Sequence, residues 1–251
     1  MKKLFFISFF IGIVISFNSC NVGEAGNYVT SDPAPAVIGY KTDMGGNIIC
    51  SFWGYYAAPS LSPTEYYEDD CLFIQFSIDY DNQPSDKYFT ATNIVGSRVD
   101  WNFLQIKNQS ELDDYNLPIS SSPFIYSSPY YNGKFFIVAE TKNKDTTFRL
   151  LRDPGDENSN GVINLYLQAK PSGTQNSIEL TSTAFAFDMR SFIINQNTDT
   201  TINYSDGRVD YHYIRANLHY VSEVSESGVP KYEKALINDG KPVEILIFKN
   251  N

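Results

Sequence analysis

From Val37 to Phe248 the apolar residues of this chain recur at every second position in short segments, broken by clusters of Gly, Pro, Asn and Asp. A period of two sends alternate side chains to opposite faces of an extended strand, whereas a helix needs a period near 3.6, so the pattern commits the chain to an all-β fold. In 72–80, for example, Leu72, Ile74, Phe76, Ile78 and Tyr80 share one face, and Phe73, Gln75, Ser77 and Asp79 the other. The first face is expected to be core. Similar segments predict strands over 48–55, 88–95, 135–141, 147–151, 162–169, 178–187, 209–221, 232–237 and 243–248. Asn238-Asp239-Gly240 between the last two predicts a hairpin. Helix signals are confined to 62–67, where Ser62 suits an N-cap and Pro63 the first helical position, enough for one or two turns.

Composition shifts once along this pattern. Residues 117–131 (LPISSSPFIYSSPYY) hold three prolines and five serines between two strand-rich stretches, which places a domain boundary there. Residues 36–118 then carry about five strands, enough for a small OB-like barrel, and 119–251 carry seven or so, which suits a β-sandwich. The alternative is one large sandwich.

The beginning of the chain fixes a compartment. Lys2 and Lys3 precede an apolar run over 4–17, and Phe17-Asn18-Ser19-Cys20 follows where signal peptidase II would cut. The run is shorter than the roughly 18 residues a membrane span requires, and a cysteine after a small residue distinguishes it from an ordinary secretory signal. Residues 1–19 are therefore expected to be removed and Cys20 to be lipidated, with two or more acyl chains holding the protein to the outer membrane. Residues 20–35 lack periodicity and read as a tether. Only Glu24 is charged before Asp32, which leaves a periplasmic and a surface-facing orientation both open. Losing Lys2 and Lys3 would take the net charge from -10 to -12. So acidic a body excludes nucleic acid as a partner and leaves the lipid as the sole expected membrane contact.

With the lipidated cysteine, the acidic turn into a strand at Glu68-Asp69-Asp70-Cys71-Leu72-Phe73-Ile74-Gln75-Phe76 and the later Asn176-Ser177-Ile178-Glu179-Leu180 leading to Arg208-Val209-Asp210-Tyr211 resemble the NigD-like lipoproteins. The resemblance implies an N-terminal OB-like barrel and a C-terminal β-sandwich behind a lipid anchor. The family takes its name from a bacteriocin gene cluster and has no settled biochemical activity, so it implies fold and compartment more than function.

Candidate site residues are few. Cys50 and Cys71 could bridge in an oxidising compartment, closing a loop of about twenty residues, or stay as two buried thiols. Asp156 to Gly161 mimics the first half of a calcium loop, but position twelve falls on Leu167, and an Asn-Gly turn between strands explains the same residues. His212 and His219 have odd spacing in one strand and so face opposite ways. No metal or other cofactor is expected. The sequence has no nucleophile elbow and no HExxH, CxxC, Walker or GxGxxG pattern. No catalytic residue is assigned and the protein is not expected to be an enzyme, although paired carboxylates from distant strands leave no local signature. Tyrosines cluster at 55–56, 66–67, 126 and 130–131, where ring faces could stack on sugars or anchor a protein. Trp53, Tyr130 and Tyr131 are the ligand-contact candidates. Asp145-Thr146-Thr147 and Asp199-Thr200-Thr201 resemble an O-glycosylation triplet of some Gram-negative anaerobes. The function expected is a non-catalytic binding or assembly module for a glycan or an envelope protein. The alternatives are a structural subunit of a surface appendage, joined by strand addition, and, behind it, a glycan hydrolase.

Overall fold

The computed structural model describes residues 27–249 except 85–87, 157–160, 173–175, 197, 205–206 and 237–240. The leader, Cys20 and the Asn238-Asp239-Gly240 turn lie outside the described residues. The alternating segments become sheet, as their period requires. The first sheet contains β1 (Tyr28–Thr30), β2 (Ala34–Lys41), β3 (Gly46–Ser51), β4 (Tyr55–Ala57), β5 (Cys71–Asp79) and β6 (Thr92–Arg98). Its order is β1-β5-β2-β3-β4, with β6 on the other edge of β5. A bridge between Ala57 and Thr90 brings the end of β4 to the approach to β6 and curls the sheet into a barrel. Leu72, Ile74, Phe76 and Ile78 face its interior with Ile38 and Ile49, as the alternation required, while Tyr80 lies past the strand and is exposed.

The next two sheets form a sandwich. One has the order β7 (Trp101–Phe103), β13 (Asn176–Asp188), β10 (Lys134–Asn143), β9 (Phe124–Ser127). The facing sheet has the order β14 (Asp199–Tyr204), β15 (Gly207–Val224), β12 (Val162–Pro171), β11 (Thr146–Arg152), β8 (Gln105–Ile106). β16 (Pro230–Lys234) and β17 (Val243–Phe248) also pair with β15. Phe135, Ile137, Phe148, Leu165, Phe185, Phe187, Leu218 and Ile245 fill the space between the sheets. A short helix, α1 (Arg190–Gln196), buries Ile193 against this core. Asp188 starts it by accepting from the Arg190 N–H at 3.0 Å.

Three sequence expectations are corrected. The change from barrel to sandwich falls between Arg98 and Trp101 rather than at residue 119, because β7 pairs with β13 and β8 with β11. The tether does not extend to residue 35: Tyr28–Thr30 is already a strand on β5, and Ala34 opens β2. The strands flanking Asn238-Asp239-Gly240 do not pair with each other; both add to β15, at residues 219–224 and 211–216. Residues 62–67 make one turn, within the one or two expected, with the Glu65 and Tyr66 N–H groups donating to the Ser62 carbonyl.

Barrel and sandwich share a third core, which joins Val37, Ile48, Cys50 and Cys71 of the first to Tyr131, Phe136 and Ala186 of the second. This is why β2 and β3 read as apolar runs: each is covered on both faces. Beside this core lies an ion cluster. Lys134, 1% exposed, donates to the Asp69 carbonyl at 2.7 Å and pairs with its carboxylate at 3.1 Å. Arg190 forks onto the same carboxylate at 3.1 and 2.9 Å and also binds Asp188. Asp69 holds this position with φ of 75°, a left-handed backbone that aspartate tolerates better than most side chains.

Candidate functional site

The β3–β4 connection is a tight turn, closed by the Ser51 N–H on the Gly54 carbonyl at 2.8 Å. Gly54 has φ of 148°, which few other residues adopt. The turn leaves Phe52 and Trp53 each 44% exposed, edge to face at 6.2 Å. Ser128 pins this barrel turn to the sandwich: its hydroxyl donates to the Phe52 carbonyl and accepts from the Tyr130 N–H, both at 3.3 Å.

Next to this junction is a cleft of about 650 Å³ walled by both units. Phe52, Trp53 and Asp32 to Ala34 come from the barrel side, the whole of β9 forms one wall, and Lys241 to Glu244 with Arg215 form the other. The walls carry aromatic surface and a few charges of both signs; Arg215 and Glu244 stand 3.8 Å apart. Apolar walls with a few polar groups are the usual composition of a ligand site.

The three sequence-predicted aromatics separate. Trp53 lines the cleft. Tyr130 is half-buried and packs its ring against Tyr55 at 5.1 Å and Phe248 at 6.0 Å, as part of the joint between the units. Tyr131 is fully buried, which corrects its assignment as a contact residue: its hydroxyl donates to the Pro35 carbonyl at 3.0 Å, and burial pushes its pKa well up. The chain turns sharply here through a 3₁₀ turn over Pro129–Tyr131, with Asn132 and Gly133 both at positive φ. A Cβ on Gly133 would come within 2.5 Å of Ile247. Two adjacent tyrosines in one such turn point apart, one into the core and one along its surface. Phe124, missed by the sequence reading, joins Trp53 in the cleft; its place in a four-residue strand next to Pro123 gave too little alternation to register.

Cys50 and Cys71 are free thiols, so the bridge is not formed. Val37 of β2 pairs with both, which sets the cysteines two strands apart. Two strand spacings amount to roughly 9–10 Å, too far for a disulfide. Burial pushes both thiols up to about 12. His212 binds Asp199 at 2.8 Å, and His219 stacks on Tyr166 at 5.3 Å with Nε2 3.3 Å from Asn164. Of the calcium-like turn, residues 157–160 lie outside the described residues; Asp156 accepts from the Tyr166 hydroxyl at 2.5 Å and lies 3.8 Å from Arg152. No group of three or more His, Cys, Asp or Glu among the described residues is placed to hold a metal ion. Among the glycosylation-like triplets, Thr146 is buried and hydrogen-bonded to Thr141 at 2.7 Å.

No protein-family model matches the chain, and no curated protein does. Solved structures do match. An uncharacterised protein from Parabacteroides merdae is 15% identical, with a TM-score of 0.59 over 86% of this chain and 98% of that one. A candidate lipoprotein from Bacteroides fragilis is 12% identical, with a TM-score of 0.52 over 88% and 96%. A NigD-like immunity protein from Bacteroides caccae is also among them, 11% identical, with a TM-score of 0.48 over 84% and 96%. At such identities the first two show the fold alone, over most of both chains. The barrel followed by a sandwich seen in this structure is the architecture that the NigD-like resemblance implied.

Proposed function

We propose that the protein is a non-catalytic recognition module of the cell envelope, anchored to the outer membrane through Cys20, which captures a partner in the cleft between barrel and sandwich. The observation that carries this reading is the pairing of exposed Phe52 and Trp53 with Phe124 across a concave space of about 650 Å³. Large rings held rigidly in a hollow supply contact area at little cost in conformational freedom. The joint beneath them is fixed by the Ser128 and Tyr131 hydrogen bonds and the Asp69 ion cluster, so the two walls form one preorganised receptor.

The test is an envelope pull-down and a glycan array run with the purified protein and its Trp53→Ala and Phe124→Ala variants. Each truncation is expected to weaken the captured interaction at least about tenfold, a hot-spot effect of over 1 kcal/mol. Thermal stability should change little for Trp53→Ala, whose ring is half in water. Interactions unaltered in both variants would overturn the assignment of the cleft.

A further inference from the structure

Among the described residues β9 pairs with β10 alone, with Phe124 opposite Val138 and Ser127 opposite Phe135. Along its free edge runs the cleft, so half the N–H and C=O groups of the strand are directed into it. Among the described residues the edge is tied off at its far end alone, where the Ser127 hydroxyl donates to the Glu244 carbonyl of β17 at 2.5 Å. A second cavity of about 560 Å³ lies on the outer face of the same strand. Phe124 and Tyr126 line both spaces. A strand laid along β9 would occupy the cleft and send alternate side chains to the outer face, where the second cavity can receive them.

The second cavity also states what it would receive. Phe73, Phe124 and Tyr126 form an aromatic wall, with Tyr126 6.2 Å from Phe73 and 5.0 Å from Phe124. Glu140 stands in the same lining, its carboxylate oriented by the Ser121 hydroxyl at 3.0 Å, and among the described residues the remaining lining holds serines, Val138 and Ala184 but no cationic side chain. Aromatic faces and one carboxylate attract an ammonium or guanidinium group. The chain as a whole, at net charge -10, attracts basic partners too.

We propose that the cleft receives an extended segment of a partner protein, added to β9 as a further strand of its sheet, with a Lys or Arg side chain seated among Phe73, Phe124, Tyr126 and Glu140. The inference deepens the reading of the cleft as a recognition site and rests on it. The test pans a displayed library of random linear dodecapeptides against the protein, with Phe124→Ala as the counter-target. Enriched peptides should share a Lys or Arg with apolar or β-branched residues around it. In titrations with the best peptide, replacing its basic residue by Met and the Glu140→Gln variant should each lower affinity about tenfold. The two changes should not add, because they remove the same contact. N-methylation of alternate backbone amides should abolish binding, since it removes the strand hydrogen bonds. Absence of enrichment, enrichment without a basic position, or indifference to N-methylation would overturn the proposal. A glycan, or a second copy of this chain, captured in a manner sensitive to Trp53→Ala would overturn the peptide while leaving the cleft as the recognition site.

Discussion

At the residue scale the most demanding position is Asp69. It stands with a left-handed backbone, answers a buried ammonium and a guanidinium at once, and belongs to the barrel while both cations belong to the sandwich. Removing its charge strands Lys134, which has almost no access to water. Asp69→Asn is therefore expected to cost about 3 kcal/mol in denaturant unfolding, whereas Lys134→Met, which removes the buried charge itself, should cost less or nothing. Burial raises the Asp69 pKa, but the hydrogen bonds from Arg190 and Lys134 together outweigh it and hold the group below the ordinary carboxylate value. A carboxylate with a lowered native pKa contributes its full stabilisation above the unfolded value near about 4, and loses it as pH falls through the native value. The stability gap between the wild type and Asp69→Asn should thus be constant from pH 8 to pH 5 and close in stronger acid; a gap widening on acidification would refute the assignment. Little of this was legible in the sequence. Glu68-Asp69-Asp70 announced an acidic turn, but which of its carboxylates would meet Lys134 and Arg190, 65 and 121 positions away, is a tertiary outcome. The same holds for Tyr130 and Tyr131, alike in sequence and opposite in burial.

At the scale of elements the alternating pattern was read well where strands are long. The segment predicted over 209–221 is β15, and that over 243–248 is β17. It failed where strands are brief: β7, β8 and β9 have two to four residues, too few for a period to show. Local turn chemistry also misled, because Asn-Gly signals reversal and says nothing of which strand the returning chain will join. Here the partner is β15, whose 18 residues are flanked by β14 and β12 along one edge and by β17 and β16 along the other. Backbone amides at 214–220 are expected to be the slowest to exchange with deuterium, near the global unfolding limit, while β1 and β8 at sheet margins exchange far sooner. Equal rates in β15 and in those short strands would contradict β15 as the spine of the sandwich.

At the scale of the molecule, barrel and sandwich are distinct in topology and continuous in packing. Phe136 sits wholly buried in the core they share, against Tyr131 at 5.1 Å. Thermal unfolding is accordingly expected as one transition with matching calorimetric and van't Hoff enthalpies, and Phe136→Ala, at a cost of about 3–5 kcal/mol, should lower it without splitting it. Two resolved transitions would show that the shared core does not couple the units. The place of β1 bears on something else, namely how far the body can stray from a bilayer. Asn27 is fastened to Asp81 by two hydrogen bonds, at 3.0 and 2.8 Å, and the chain enters the sheet at Tyr28. With Cys20 as the acylated residue, the seven residues from there to Asn27 form a leash that reaches at most about 25 Å even fully stretched. Fifteen residues to Pro35 would have doubled that radius. If Cys20 carries the lipid, so short a leash would hold the point where the chain enters the barrel within that distance of the headgroups, and a partner would have to be met close to the bilayer.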